Sequence, residues 1–125
     1  MTQIIEPKLS YKITGLCFKV QNKLGRFASE RQYLDELERL LKEENIEYER
    51  ELEILKFEPS AAKGNRVDLM IAKRILFDAK AKKFVTKEDY VQMLRYLYAS
   101  KLKLGLIVNF RSTYLKPKRV INNLI

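Results

Sequence analysis

Leu9, Ile13, Leu16, Val20 and Leu24 recur at spacings of four, three, four and four. That spacing is one face of an α-helix, which Gly25 ends. Lys12, Lys19 and Lys23 lie largely off the stripe. Tyr33, Leu34, Leu37, Leu40 and Leu41 form the apolar face of a second helix, with Ser29 as N-cap, acids along its outer side and Asn45 as its stop. From Ile46 the period changes to two. Tyr48, Leu52 and Ile54 alternate with Glu47, Glu49, Glu51 and Glu53, a half-buried strand with a charged outer face. Glu58 to Asn65, holding Pro59, Ser60 and Gly64, is a loop. Two short strands follow, Arg66 to Ala72 and Ile75 to Ala81, joined at Lys73-Arg74.

Thr86 caps a third helix, with Glu88 and Asp89 suiting the dipole of its first turn. Tyr90, Leu94, Leu97 and Tyr98 are expected on its inner face. Leu104 to Phe110 is a nearly continuous apolar run, which fits a strand covered on both faces. A helix between two such strands predicts a right-handed parallel crossover from the third strand to the fourth. The basic tail from Arg111 onward, with Pro117, carries at most a short terminal strand or helix. The order α, α, β, β, β, α, β gives an α/β class fold of the α+β kind, a mixed sheet flanked by helices.

The 125 residues are expected to form one domain, able to bury roughly two thirds of the surface its unfolded chain exposes. No stretch approaches the ~18 uninterrupted apolar residues of a membrane span, and Met1 to Pro7 has no signal-peptide pattern. The single cysteine, Cys17, cannot form an internal disulfide, fits a reducing compartment and falls on an apolar helix face as core filler. The expected location is therefore cytoplasmic. Histidine is absent, which excludes Ser-His and Cys-His nucleophiles and His-ligated zinc. The net charge of +9 is uneven: residues 27–58 carry eleven acids against five basic residues, whereas residues 101–125 carry six basic residues and no acid. One face is then acidic and solvated while another carries positive potential, whose commonest partner is nucleic acid.

Asp78-Ala79-Lys80 is the most telling triplet, because another acid, Asp68, stands ten residues earlier. Asp78 and Lys80 are two apart on a strand and share a face. Whether Asp68 joins them depends on the hairpin. A three-residue loop at Ala72 to Arg74 sets Asp68 against Asp78; a two-residue loop sets it against Ala79 and turns it away. Two carboxylates hold a hard divalent cation, and an ammonium beside them handles water or developing negative charge. In a chain that is 33% charged, this spacing alone is a weak signal.

Further along, Gln92 and Tyr96 are four apart on one helical face, and Glu30 and Tyr33 three apart on another. With these, the chain resembles the PD-(D/E)xK nuclease superfamily and within it the GxxExxY protein family, from about Leu9 to Arg119. The resemblance rests on Leu24-Gly25, Glu30-Arg31-Gln32-Tyr33, Val67-Asp68, Asp78-Ala79-Lys80, Gln92-Met93-Leu94-Arg95-Tyr96 and Leu104 to Phe110. Phe27 stands where the family name has glycine, and Asp78 where the family usually has glutamate, a ligand shorter by one methylene.

The resemblance implies a restriction-endonuclease-like core and a metal-dependent nuclease, with DNA as the expected substrate. Asp68, Asp78 and the Ala79 carbonyl would bind Mg²⁺ or Mn²⁺. Glu30 would complete the shell directly or through water, and Lys80 would position or deprotonate the attacking water. Gln92 would orient the water, the lysine or a phosphate oxygen. Tyr33 and Tyr96 would be core groups or supports behind the ligands. Arg95, Lys82, Lys83 and Lys87 would contact phosphates. Small size, Phe27 and Asp78 keep open the alternative of a catalytically inactive nucleic-acid-binding or protein-interaction module on the same fold. Homodimerisation is compatible with cutting a duplex, although no dimer motif is visible.

Overall fold

The computed structural model describes residues 6–53 and 66–124. Ile54 and the Glu58 to Asn65 loop lie outside these. The elements are α1 (Pro7–Leu24), α2 (Glu30–Glu43), β1 (Tyr48–Glu53), β2 (Arg66–Ile71), β3 (Ile75–Lys80), α3 (Lys87–Ser100), β4 (Leu104–Asn109) and β5 (Lys118–Ile121). The strands form one sheet in sequence order. Every neighbouring pair is antiparallel except β3 and β4, which run parallel with α3 as the connection. This is the expected mixed sheet, and the tail beyond Arg111 adds β5 at its edge.

The two N-terminal helices form because their ends are chemically marked. Pro7 sits in the first turn of α1, where its missing N–H costs nothing. Gly25, at φ 78°, takes the left-handed step that ends the helix and donates its N–H to the Gln21 carbonyl. Ser29 and Gln32 make a reciprocal capping box on α2. Tyr33, Leu34, Leu37, Leu40 and Leu41 are all buried on its inner face, contributing about 1.5–3 kcal/mol for each large side chain. Cys17 is fully buried in the same layer, and burial pushes its thiol up.

The sheet separates two apolar layers. Leu69, Ile71, Ile75, Phe77, Ala79 and the even residues Leu104 to Phe110 pack with α1 and α2. Val67, Met70, Leu76, Ile107 and Val120 pack with α3. Strict alternation therefore breaks between Val67 and Leu69, at Asp68.

The inner face of α3 holds Leu97 and, half-buried, Leu94 as expected, but not the two tyrosines. Tyr90 and Tyr98 are 41% and 51% exposed, and the buried face is Asp89, Met93, Tyr96 and Leu97. The helix is turned by one residue because it sits close over β4. A Cβ at Gly105 would come within 2.6 Å of Met93 Cγ and Sδ, so the bare glycine receives Met93. Tyrosine's amphipathic ring tolerates the solvent edge that this leaves to Tyr90 and Tyr98.

Candidate active site

The β2–β3 turn decides the site. Ile71 pairs with Ile75, so the loop is the three residues Ala72, Lys73 and Arg74. Leu69 opposes Phe77, and one step further the same register opposes Asp68 and Asp78. There the regular ladder gives way to side chains. Asp68 donates its backbone N–H to Asp78 Oδ1 at 3.0 Å, and Ala79 donates its N–H to Asp68 Oδ2 at 2.8 Å. On the other side of β2, Glu51 lies across from Asp68 with its backbone in the left-handed region, at φ 53°. The distortion on both flanks coincides with the break in alternation at Asp68.

Each aspartate thus spends one oxygen on a main-chain amide and keeps the other without a hydrogen bond to any described residue. Neither free oxygen is sealed from solvent, since no buried side-chain oxygen among the described residues lacks a partner. Their electrostatics favour a cation between them. Burial, and then the charge of Asp78, pushes the Asp68 carboxyl up to about 7. Burial also raises Asp78. The charges of Lys80 and Glu30 reach both aspartates, the lysine lowering them and the glutamate raising them.

Hard oxygen donors in an electron-rich pocket suit Mg²⁺ or Mn²⁺, which keep several waters and take few protein ligands. The Ala79 carbonyl lies between Asp78 and Lys80 in the chain. Among the described residues no three acids come together as a metal cluster. Glu30, exposed on the first turn of α2, reaches the pair by its charge and not as a third close carboxylate.

Lys80 is largely covered, its ammonium 4.0 Å from Asp89 Oδ1. Asp89 also holds Lys82, at 2.5 Å from Oδ2, and caps α3 by accepting the Thr86 N–H. Burial works to raise the Asp89 carboxyl, but its bond with Lys82, the Thr86 amide and the two lysine charges hold it below the usual range. The sequence marked Asp89 only as a helix-dipole acid; its position three residues after a cap and nine after Lys80 was the available signal. Lys82, expected on phosphate, is here already paired.

Gln92 and Arg95 line one surface cavity of about 660 Å³ on α3, with Lys87, Glu88, Asp89 and Val91 as the other described walls. Lys83, Lys87 and Arg95 are exposed. Tyr96 is buried behind the aspartates, whose charges, after burial, push its hydroxyl up to about 12. Tyr33 lies in the other layer. Its hydroxyl donates to the Gly25 carbonyl at 2.6 Å and accepts the Ala28 N–H at 3.2 Å, and its ring stacks on Phe110 at 4.4 Å. It braces the α1–α2 turn and does not back the aspartates. Phe27, 76% exposed, lies under the guanidiniums of Arg26 and Arg111 at 5.3 and 5.1 Å.

Sequence reasoning also gave no role to Asn109, the polar residue that interrupts the apolar β4 run. Its amide nitrogen donates to the Lys82 carbonyl at 2.7 Å, and its oxygen accepts the N–H of Lys82 and of Arg111. With the Phe110 N–H donated to the Lys80 carbonyl at 2.9 Å, it locks the chain leaving β3 to the end of β4.

A model of the PD-(D/E)XK nuclease superfamily matches residues 7–121. The chain belongs to that superfamily. Neither a curated protein nor a solved structure matches it. The match spans all eight elements, and the mixed sheet with three helices is consistent with the restriction-endonuclease-like fold of PD-(D/E)XK proteins. A nucleic-acid substrate follows from the superfamily. No helix among the described residues is long and apolar enough to cross a membrane.

Proposed function

We propose that this protein is a metal-dependent nuclease that hydrolyses phosphodiester bonds in DNA, acting in the cytoplasm. The observation that carries the proposal is the interlocked pair Asp68 and Asp78, each tethered by one main-chain amide and each with one oxygen left for a cation. Asp68, Asp78 and the Ala79 carbonyl would hold Mg²⁺ or Mn²⁺. The ion, when bound, supplies Lewis acidity to the scissile phosphate and lowers the pKa of water.

The chain's own residues supply the rest. Lys80 lies on the same strand face as Asp78, so its ammonium is available to orient the attacking water and to offset charge on a phosphorane-like transition state. Water adds to phosphorus, the bond to the leaving sugar oxygen breaks, and that oxygen takes a proton to leave as a hydroxyl. Glu30 supports the ion's water shell from α2. Gln92 aligns a water or phosphate oxygen from α3. Arg95, Lys83 and Lys87 bind flanking phosphates, while Lys82 is committed to Asp89. The finer likeness to the GxxExxY family rests on Glu30 and Tyr33, with Phe27 in place of its glycine.

A second reading is an inactive nucleic-acid-binding module on the nuclease fold. It is favoured by the absence of a three-acid cluster among the described residues and by the short Asp78 ligand. Incubating labelled DNA and RNA with the protein in Mg²⁺, Mn²⁺ or EDTA separates the two. Products that need the metal support the nuclease. Retention on a gel with no product in either metal leaves the binding module.

A further inference from the structure

Beside the β3–β4 end of the sheet lies a second cavity, of about 290 Å³, walled by Lys83, Phe84, Asn109, Tyr114, Lys116 and Lys118 among others. Phe84 is 75% exposed and Tyr114 80% exposed. Neither ring stacks on another described aromatic. No acid lines the cavity, and none of its three lysines has an ion-pair partner among the described acids. Large aromatic rings left in water beside unpaired ammoniums have no part in the core or in the metal site.

The position ties this cavity to the chemistry. Asn109, in its wall, is the residue paired with Lys80 across β3 and β4. Its side chain fixes Lys82, the residue just before Lys83 and Phe84. Ser112 and Tyr114, also in its wall, belong to the turn after β4, held by Gln21, whose side-chain amide donates to the Phe110 and Ser112 carbonyls at 3.0 and 2.9 Å. The cavity therefore opens on rigid supports about one strand-residue pair from the lysine of the site.

We propose that this cavity is a docking groove for single-stranded DNA, taking the unpaired nucleotides next to the phosphate presented at Asp68, Asp78 and Lys80. The choice of nucleic acid rests on the nuclease reading above; the choice of a single strand rests on the groove itself. Bases stacked in a duplex cannot offer their faces to Phe84 or Tyr114, whereas unpaired ones can, and each such stack is sequence-tolerant. Lys83, Lys116 and Lys118 carry the charge that a phosphate backbone complements. A volume near 300 Å³ is at the low end of ligand pockets, the scale of a nucleotide rather than of a folded partner.

Binding of the 125-residue protein in EDTA to a labelled mixed-sequence strand, its duplex and its RNA counterpart tests this without any cleavage. The single DNA strand should bind tightest. Phe84→Ala and Tyr114→Ala should each weaken it by about 5-fold or more, the range expected for losing one base stack. Tyr114→Phe should restore binding, and Tyr11→Ala, an exposed tyrosine on α1, should change nothing. Lys116→Ala should flatten the slope of log K against log salt by about 0.7. Both rings being exposed, the variants should fold as the wild type does, which circular dichroism checks. Equal or tighter duplex binding, or truncations within about 2-fold of wild type, would overturn the groove; preference for RNA would overturn the assignment to DNA. A protein that binds in the proposed pattern yet cuts nothing sinks only the enzyme reading. One that cuts yet ignores both truncations sinks only the groove.

Discussion

Asp68 gives its backbone N–H to the carboxylate of Asp78 at 3.0 Å, so that β2, the first strand of the hairpin, fixes the acid of β3, the second. Ala79 returns the bond to Asp68 at 2.8 Å. These two bonds stand where ladder bonds would otherwise run. The backbone has traded regular pairing for the placement of two carboxylates, and it does so at the one point where side-chain alternation along β2 fails.

That placement is electrostatically costly without a cation. Asp68 is raised from 3.8 to about 7, first by burial and then by Asp78. Between those values the folded protein keeps a proton that the unfolded chain has lost, so the metal-free protein should lose stability as pH rises through this window. The loss is on the order of 2–4 kcal/mol at 1.36 kcal/mol per pKa unit, with partial exposure reducing it. Thermal melts from pH 4 to 8 in EDTA should show the decline in wild type and a much flatter profile in Asp68→Asn. Mn²⁺ at pH 8 should raise the wild-type melting temperature and leave that of Asp68→Asn unmoved.

The register of the hairpin sets whether the two acids meet. Ala72 and Lys73 both hold left-handed backbone, at φ 54° and 55°, which costs roughly 1–2 kcal/mol per residue for a side chain with a Cβ. Ala72→Gly should relieve about 1 kcal/mol in urea denaturation and keep the metal response. Deleting Lys73 shortens the loop to two residues, turns Asp68 away from Asp78 and should abolish the metal-induced rise in melting temperature. A deletion variant that still responds to Mn²⁺ contradicts this account of the register.

Asp89 is expected to act as a positioning residue, through Lys80 and Lys82. Asp89→Asn removes the charge that holds Lys82 and lies 4.0 Å from the Lys80 ammonium. We expect kcat to fall by about 10-fold, one factor of ten per 1.36 kcal/mol of lost transition-state stabilisation, with KM unchanged or lower because Lys82 becomes free for phosphate. Thr86→Ala removes the cap alone, costs about 1 kcal/mol of stability and should leave kcat in place. Equal kcat in Asp89→Asn and wild type would remove Asp89 from the site.

Tyr33 is predicted to matter for stability only. Tyr33→Phe strips the hydroxyl from the Gly25 carbonyl and the Ala28 N–H. Leaving two part-buried main-chain groups unpaired costs about 1–3 kcal/mol. Chemical denaturation should show that loss, while metal response and cleavage per folded molecule remain at the wild-type level.

Which features were visible in the sequence follows from their range. The helices α1 and α2 were legible because their stripes, caps and stops are local: Leu9 to Leu24 with Gly25, and Ser29 with Gln32. The Asp68, Asp78 and Lys80 trio was legible up to one integer, the loop length, which no local signal fixes. Of the inner face expected for α3, Leu94 and Leu97 hold and Tyr90 and Tyr98 do not, because Gly105, on a strand that follows the helix, receives Met93. Asp89 and Asn109 were passed over for a like reason. Their partners, Lys80 and Lys82, come from another element, and an acid in a first helical turn or an asparagine at a strand end has an ordinary local explanation. Phe84 and Tyr114 carry no local signal, and they share a cavity only because the turn after β4 lies beside the chain leaving β3.

Under the proposed function, Asp68, Asp78 and Lys80 act as one metal-dependent phosphodiesterase site. Its most direct test is cleavage of labelled DNA in Mn²⁺ by wild type, Asp68→Asn, Asp78→Asn and Lys80→Ala, each purified identically. Products from the wild type, lost in EDTA and reduced by about 100-fold or more in each variant, the scale of removing one preorganised charge from a transition state, are the predicted result. Equal products from all four proteins, or none from any, would contradict it.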